Sequence, residues 1–279
     1  LETQASAAAV LGNLACSADF RVALMADGAL QPILQLLHAP SLQARTAAVR
    51  ALAIMAQQLM SPAVPKDDPA AAELVDALFD TAALPQLLQV LAKPPVDNAA
   101  QATAAAQAGG AAAAQAAAAA SATAERQLIA VLLLLQNLAG GHGHVRPRLV
   151  ESGAVEALFG FLQARAPPPG NERASRAAGG ARGAASAGGA SEGDILGAAG
   201  TTLANLVLVA DGAARLEAVG GPAALAPLLR SPRPELQSTV ARTLGNLAYS
   251  GNAAAKLSEV LPALVALAAK PKPEVALDA

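Results

Sequence analysis

A phrase ending in Leu-Xaa-Asn-Leu recurs along this chain and limits its fold more than any other feature. It reads VLGNLAC around Asn13, LLQNLAG around Asn137, TLANLVL around Asn205 and TLGNLAYS around Asn246. A second phrase, a glycine followed by a short apolar helix, alternates with it: ADGALQPILQLL at Gly28, ESGAVEALFGFL at Gly153 and AVGGPAALAPLL at Gly220. Asn13 precedes Gly28 by 15 residues, Asn205 precedes Gly220 by 15, and Asn137 precedes Gly153 by 16. Gly28 to Ile54, which stands in the asparagine's place, is 26 residues, as is Gly220 to Asn246, so the period is 41. A fixed period of that length means a stack of supersecondary units, each too small to bury its own apolar face.

Two intervals are too long, and both in the same place. Gly153 to Asn205 is 52 residues, and Ala82, which replaces the turn glycine, lies 55 before Asn137. The excess falls between the second and third helices of a unit, in low-complexity Ala, Gly, Pro and Ser. The units expected are 1–17 (partial), 18–59, 70–140 with an Ala-rich insert at 96–123, 141–210 with a Gly/Pro/Ser-rich insert at 167–193, 211–250, and 251–279 (partial). Residues 1–279 thus form one array. The chain opens at Leu1 inside a third helix and ends inside an unfinished unit, which suggests a piece of a longer protein.

Local signals agree with helices. Asp27-Gly28 makes a turn, Ser17 or Asp19 is placed to cap the helix before it, and Ser41 to cap a long helix with a buried stripe of Leu42, Val49, Leu52 and Met55. Pro85 sits near a first helical turn, where proline is tolerated. Alanine has the highest helix propensity, so 111–124 is expected to extend the helix that follows it beyond the Gly109-Gly110 break. Arg173, Arg176 and Arg182 lie on a Gly/Ser-rich background that reads as linker.

Composition narrows the function classes. Aromatic residues make up 2% of the chain, with no Trp, too few for base-stacking nucleic-acid sites. Net charge is −2, so there is no basic footprint for nucleic acid or an anionic membrane. The longest strongly apolar run, Leu128 to Leu135, is far shorter than the ~18 residues of a membrane span. A single cysteine, Cys16, leaves no intramolecular disulfide and fits a reducing intracellular compartment, so a cytoplasmic setting is expected. Cys16 itself reads as a small buried residue on the helix of Asn13.

Enzymatic signatures are missing: there are no paired carboxylates, no nucleophile elbow and no phosphate-binding glycine loop followed by Lys-Ser/Thr. His142-Gly-His144 lies in a Gly-rich turn with no third ligand nearby and reads as a loop rather than a zinc site. No cofactor or metal is expected.

The short first helix, the turn glycines, the L-x-x-L-L close of the second helix and the third-helix asparagine resemble the armadillo repeat family. HEAT repeats share the helical hairpin but usually lack the glycine turn and the asparagine. The resemblance covers nearly the whole chain outside the inserts. Ala82 for glycine, Ile54 for asparagine and the absence of a glycine before Leu261 depart from it. It implies an all-α, right-handed superhelical solenoid of about four complete or near-complete units plus partial ends. It also implies third helices lining a concave groove that binds an extended segment of a partner protein.

A carboxamide offers a donor and an acceptor to successive peptide groups, which suits Asn13, Asn137, Asn205 and Asn246 to such a groove; the alternative is that they cap or bond within the superhelix. Four residues before the asparagine position stand Ala9, Arg50, Leu133, Thr201 and Arg242, on the same helix face. Arg50, Thr201 and Arg242 therefore join the candidate groove residues, and Leu133 with Ile129 suggests an apolar patch, either open in mid-groove or covered by the alanine insert. The family's nuclear import receptors carry Trp at that position to grip lysine stems. This chain has none, and its arginines favour a neutral or acidic ligand. The readings are a noncatalytic protein-interaction scaffold, the substrate-recognition array of a ubiquitin ligase, or a structural component of a large cytoskeletal or ciliary assembly. The inserts would be tethers or spacers along one edge, so deletion of 96–122 should leave stability nearly unchanged.

Overall fold

The computed structural model describes residues 2–61, 63–65, 67–92, 98–165, 192–231, 233–250, 258 and 260–269. These are helical with no strand among them. Helix α1 (Glu2–Leu14) is a lone third helix. Triplets of two short helices and a longer one follow: α2 (Ala18–Ala26), α3 (Leu30–Leu36) and α4 (Leu42–Leu59), then α5 (Pro69–Asp80), α6 (Ala83–Ala92) and α7 (Asn98–Gly140). The next are α8 (Val145–Glu151), α9 (Ala154–Ala164) and α10 (Glu192–Leu206), then α11 (Ala210–Ala218), α12 (Gly221–Leu225) and α13 (Pro234–Tyr249). Helix α14 (Leu261–Ala268) closes the described chain.

The turn glycines do what their spacing implies. Gly28, Gly153 and Gly220 have φ of 68°, 85° and 73°, a left-handed conformation that side chains with a Cβ disfavour. Where Ala82 replaces the glycine, the chain turns differently. Thr81 is extended, and its hydroxyl accepts the Ala83 N–H at 3.2 Å. Helix starts are capped as expected at Ser41, which accepts from Ala44 N–H, and also at Asp68, which accepts from Ala70 and Ala71 at 3.0 Å. Ser17 occupies an N-cap position without a side-chain bond. Beyond α12 the chain tightens into a 3₁₀ turn, Ala226–Arg230, at Pro227, whose ring and missing N–H oppose a continuing α-helix.

Third helices form the spine: α1 packs on α4, α4 on α7, α7 on α10 and α10 on α13. The approach is close because small residues face each other. A Cβ on Gly12 would stand 2.9 Å from Ala51 Cα, and one on Gly200 would stand 2.5 Å from Thr239. Leu52, Leu128, Leu132, Leu135, Leu203 and Leu244 are buried along this spine.

Helix α7 runs past the unit. Residues 111–124 are helical as expected, and the break is at Gly110 alone (φ 76°, ψ −169°). By length and composition the 31 residues Gly110–Gly140 are long and apolar enough to cross a membrane, which corrects the reading from the Leu128–Leu135 run alone. All their leucines except Leu133, however, are buried in the core of the array, and the apolar character upstream is alanine. Ser121 is buried, so a deletion confined to 98–119 tests the insert cleanly. It should shift the urea midpoint of the array by less than the equivalent of about 1 kcal/mol. The 167–193 insert, with Arg173, Arg176 and Arg182, lies outside the described residues except at its last two positions, which open α10.

Candidate protein-binding groove

The third helices carry one solvent-facing stripe each, and packing brings these stripes side by side. On α4 the stripe contains Arg50 and Ile54, on α7 Leu133 and Asn137, on α10 Thr201 and Asn205, and on α13 Arg242 and Asn246. Arg50 and Arg242 are exposed, Leu133 is 44% exposed, and Thr201 and the last three asparagines are half-buried. Asn13 is exposed on α1. The expected apolar patch is therefore open, with Ile129 half-buried beside Leu133 rather than covered by the alanine insert.

Two of the asparagines bond across the seams between third helices. Asn137 Nδ2 donates to Ala53 O at 3.0 Å, and Asn246 Nδ2 donates to Ala204 O at 2.7 Å. In both seams the acceptor is the residue just before the asparagine position of the preceding third helix. These carboxamides thus tie neighbouring units, with the amide donor used inside the array. Asn205 differs. It makes no side-chain hydrogen bond among the described residues, and its Nδ2 lies beside Gly140, 3.8 Å from where a Cβ would stand.

The arginines also divide into two kinds. Arg148 pairs with Asp76 at 2.6 Å and Asp80 at 3.0 Å and stacks 4.5 Å above Phe79. Arg215 pairs with Glu156 at 3.2 Å, while Arg45 and Arg146 donate to backbone carbonyls at 2.7 Å. Arg50 and Arg242 have no such partner among the described residues. Their guanidinium donors are thus not engaged by other described residues.

One sequence reading is corrected. Cys16 is exposed, since α1 ends at Leu14 and the thiol sits just past it, with Sγ 4.0 Å from Gly12 O. His142-Gly-His144 does lie in a turn, where His142 is buried and stacks on His144 with ring centres 5.9 Å apart. Among the described residues no group of three or more His, Cys, Asp or Glu is placed to hold a metal. A cavity of about 350 Å³ between α3, α4, α6 and α7 was not foreseen. Leu37, Val49, Gln86 and Gln127 line it, and the Gln86 amide donates to Leu37 O at 2.8 Å. It arises where units meet edge to edge, and no one-dimensional motif marks it.

No family model matches the chain, and no curated protein matches it. Solved structures do. One is a computationally designed armadillo repeat protein for modular peptide recognition, at 20% identity and TM-score 0.63, covering 96% of this chain and 86% of the other. Another is a designed armadillo repeat protein in complex with the peptide (KR)4, also at 20% identity and TM-score 0.63, covering 96% and 87%. The fold is the armadillo-type all-α solenoid.

Proposed function

We propose that this chain is a noncatalytic protein-interaction scaffold that holds an extended segment of a partner along the stripe of its third helices. The observation that carries the reading is the row of unpaired groups in register across four stacked helices: Arg50, Leu133, Thr201 with Asn205, and Arg242. Such a row presents periodic contacts to a periodic ligand, and an extended peptide is the natural one. The fold is shared with scaffolds designed for peptide recognition, which supports the same use of the face here. The sign of the charge differs from what a (KR)4 ligand needs, because Arg50 and Arg242 would repel it.

Selection of a displayed random-peptide library on the protein tests the reading. Enriched peptides should bind an Asn205→Ala variant about five- to thirtyfold more weakly, the loss of one or two hydrogen bonds. A Leu133→Glu variant should lose them as well. Both positions are solvent-facing, so native helical circular dichroism is expected to persist. Peptides that bind both variants as tightly as the parent would move the binding surface away from the groove.

A further inference from the structure

We propose that the groove selects a segment carrying two carboxylates about eight residues apart, with an apolar side chain between them and nearer the carboxylate held by Arg50. The inference rests on the groove reading above and gives it a ligand grammar. Reading the position four residues before the asparagine across successive third helices gives Arg50, Leu133, Thr201 and Arg242. Both ends are cationic and without an acidic partner among the described residues. The second position is an exposed leucine, and the third is a small hydroxyl.

Geometry converts this order into a spacing. Packed helices stand roughly 8–10 Å apart, so three seams separate the two guanidinium groups by roughly 24–30 Å. An extended chain advances about 3.3 Å per residue, which places the two carboxylates about seven to nine residues apart. Leu133 lies one seam from Arg50, or about two to three residues into that span. Helix α4 carries no acidic residue, and Glu125, Glu192, Asp194 and Glu235 on the other three stand seven to nine residues before Leu133, Thr201 and Arg242, so neither arginine has an acidic residue within a turn of it on its own helix. A guanidinium accepts a carboxylate through paired N–H donors, which makes acidic side chains the favoured occupants at both ends.

The test uses a fluorescein-labelled, end-blocked peptide with two glutamates about eight residues apart, a leucine three residues from one of them, and serine elsewhere. It is made in both chain directions. Anisotropy at low salt should show one direction binding about tenfold or more tighter than the glutamine version and than a scramble with adjacent glutamates. The preference should weaken as salt rises. Arg242→Glu should remove it, and a peptide with lysine in place of the distal glutamate should recover binding to that variant. Equal binding of the spaced and scrambled peptides, failure of both directions to bind, or no recovery by the lysine peptide would each overturn the proposal. If the glutamine peptide binds as tightly as the glutamate one and Asn205→Ala weakens both, the groove stands and the carboxylate rule falls. Loss of the groove reading itself would instead show as library-selected peptides indifferent to Asn205→Ala and Leu133→Glu.

Discussion

Replacing Phe161 with alanine should destabilise the array by about 3–5 kcal/mol, the largest loss expected from any single truncation in this chain. Phe161 is 1% exposed in α9, the helix that packs on α6 and α10 and so joins two successive units. Its ring also carries the Arg165 guanidinium, 4.2 Å from the ring centre. Truncation removes the apolar burial, leaves a cavity at a seam and frees the arginine's platform. Urea denaturation followed by helical circular dichroism reads the effect. Phe161→Leu, which refills much of the space, should cost about 1–2 kcal/mol. A loss below about 1 kcal/mol for the alanine variant would mean that the ring is not part of a close-packed core.

The second large effect is expected from adding a single carbon. Gly212, in α11, has no room: a Cβ there would stand 2.2 Å from the Leu206 carbonyl oxygen and 3.1 Å from a Val150 methyl. The first obstacle is backbone, which cannot rotate aside as a side chain can. Gly212→Ala should therefore destabilise by about 2–3 kcal/mol or more, although alanine is the better helix former. Gly197 in α10 and Gly245 in α13 provide the control, since a Cβ at either meets nothing within 4 Å. Alanine at those positions should stabilise by about 0.5–1 kcal/mol each. If all three alanine variants moved stability in the same direction, local crowding would not be what keeps Gly212.

The architecture was readable because its determinants are local and repeated. Gly28, Gly153 and Gly220 reveal themselves at a fixed distance from an asparagine, and a left-handed turn needs glycine whatever lies around it. The all-α solenoid follows from that period. The departure at Ala82 was visible, but its remedy was not, because Thr81 reaches its helix N–H only in an extended conformation that sequence does not report. The candidate groove residues were chosen by spacing alone; of these, Arg50 and Arg242 are exposed and Thr201 is half-buried. What spacing could not show is how each carboxamide is spent. That depends on what each side chain meets across a seam: Asn137 and Asn246 each reach a backbone carbonyl there, and Asn205 does not. Cys16 was misread for a related reason: a helix ending two residues early turns an inward position outward.

The unequal use of the asparagines has a mechanical side. Helices α4 and α7 are cross-linked by Asn137, and α10 and α13 by Asn246, whereas the joint between α7 and α10 has no such link from Asn205. The α4–α7 and α10–α13 pairs are then each braced by a carboxamide and meet at a joint that is not, the same joint whose unit carries the 167–193 insertion. In a stack held by nearest-neighbour contacts, flexing and the first parting under denaturant concentrate at the least-braced seam. A segment held at Arg50 and Arg242 would cross that joint and act as a splint. Its binding should bring the unfolding of the two halves together and raise both by a common, concentration-dependent amount.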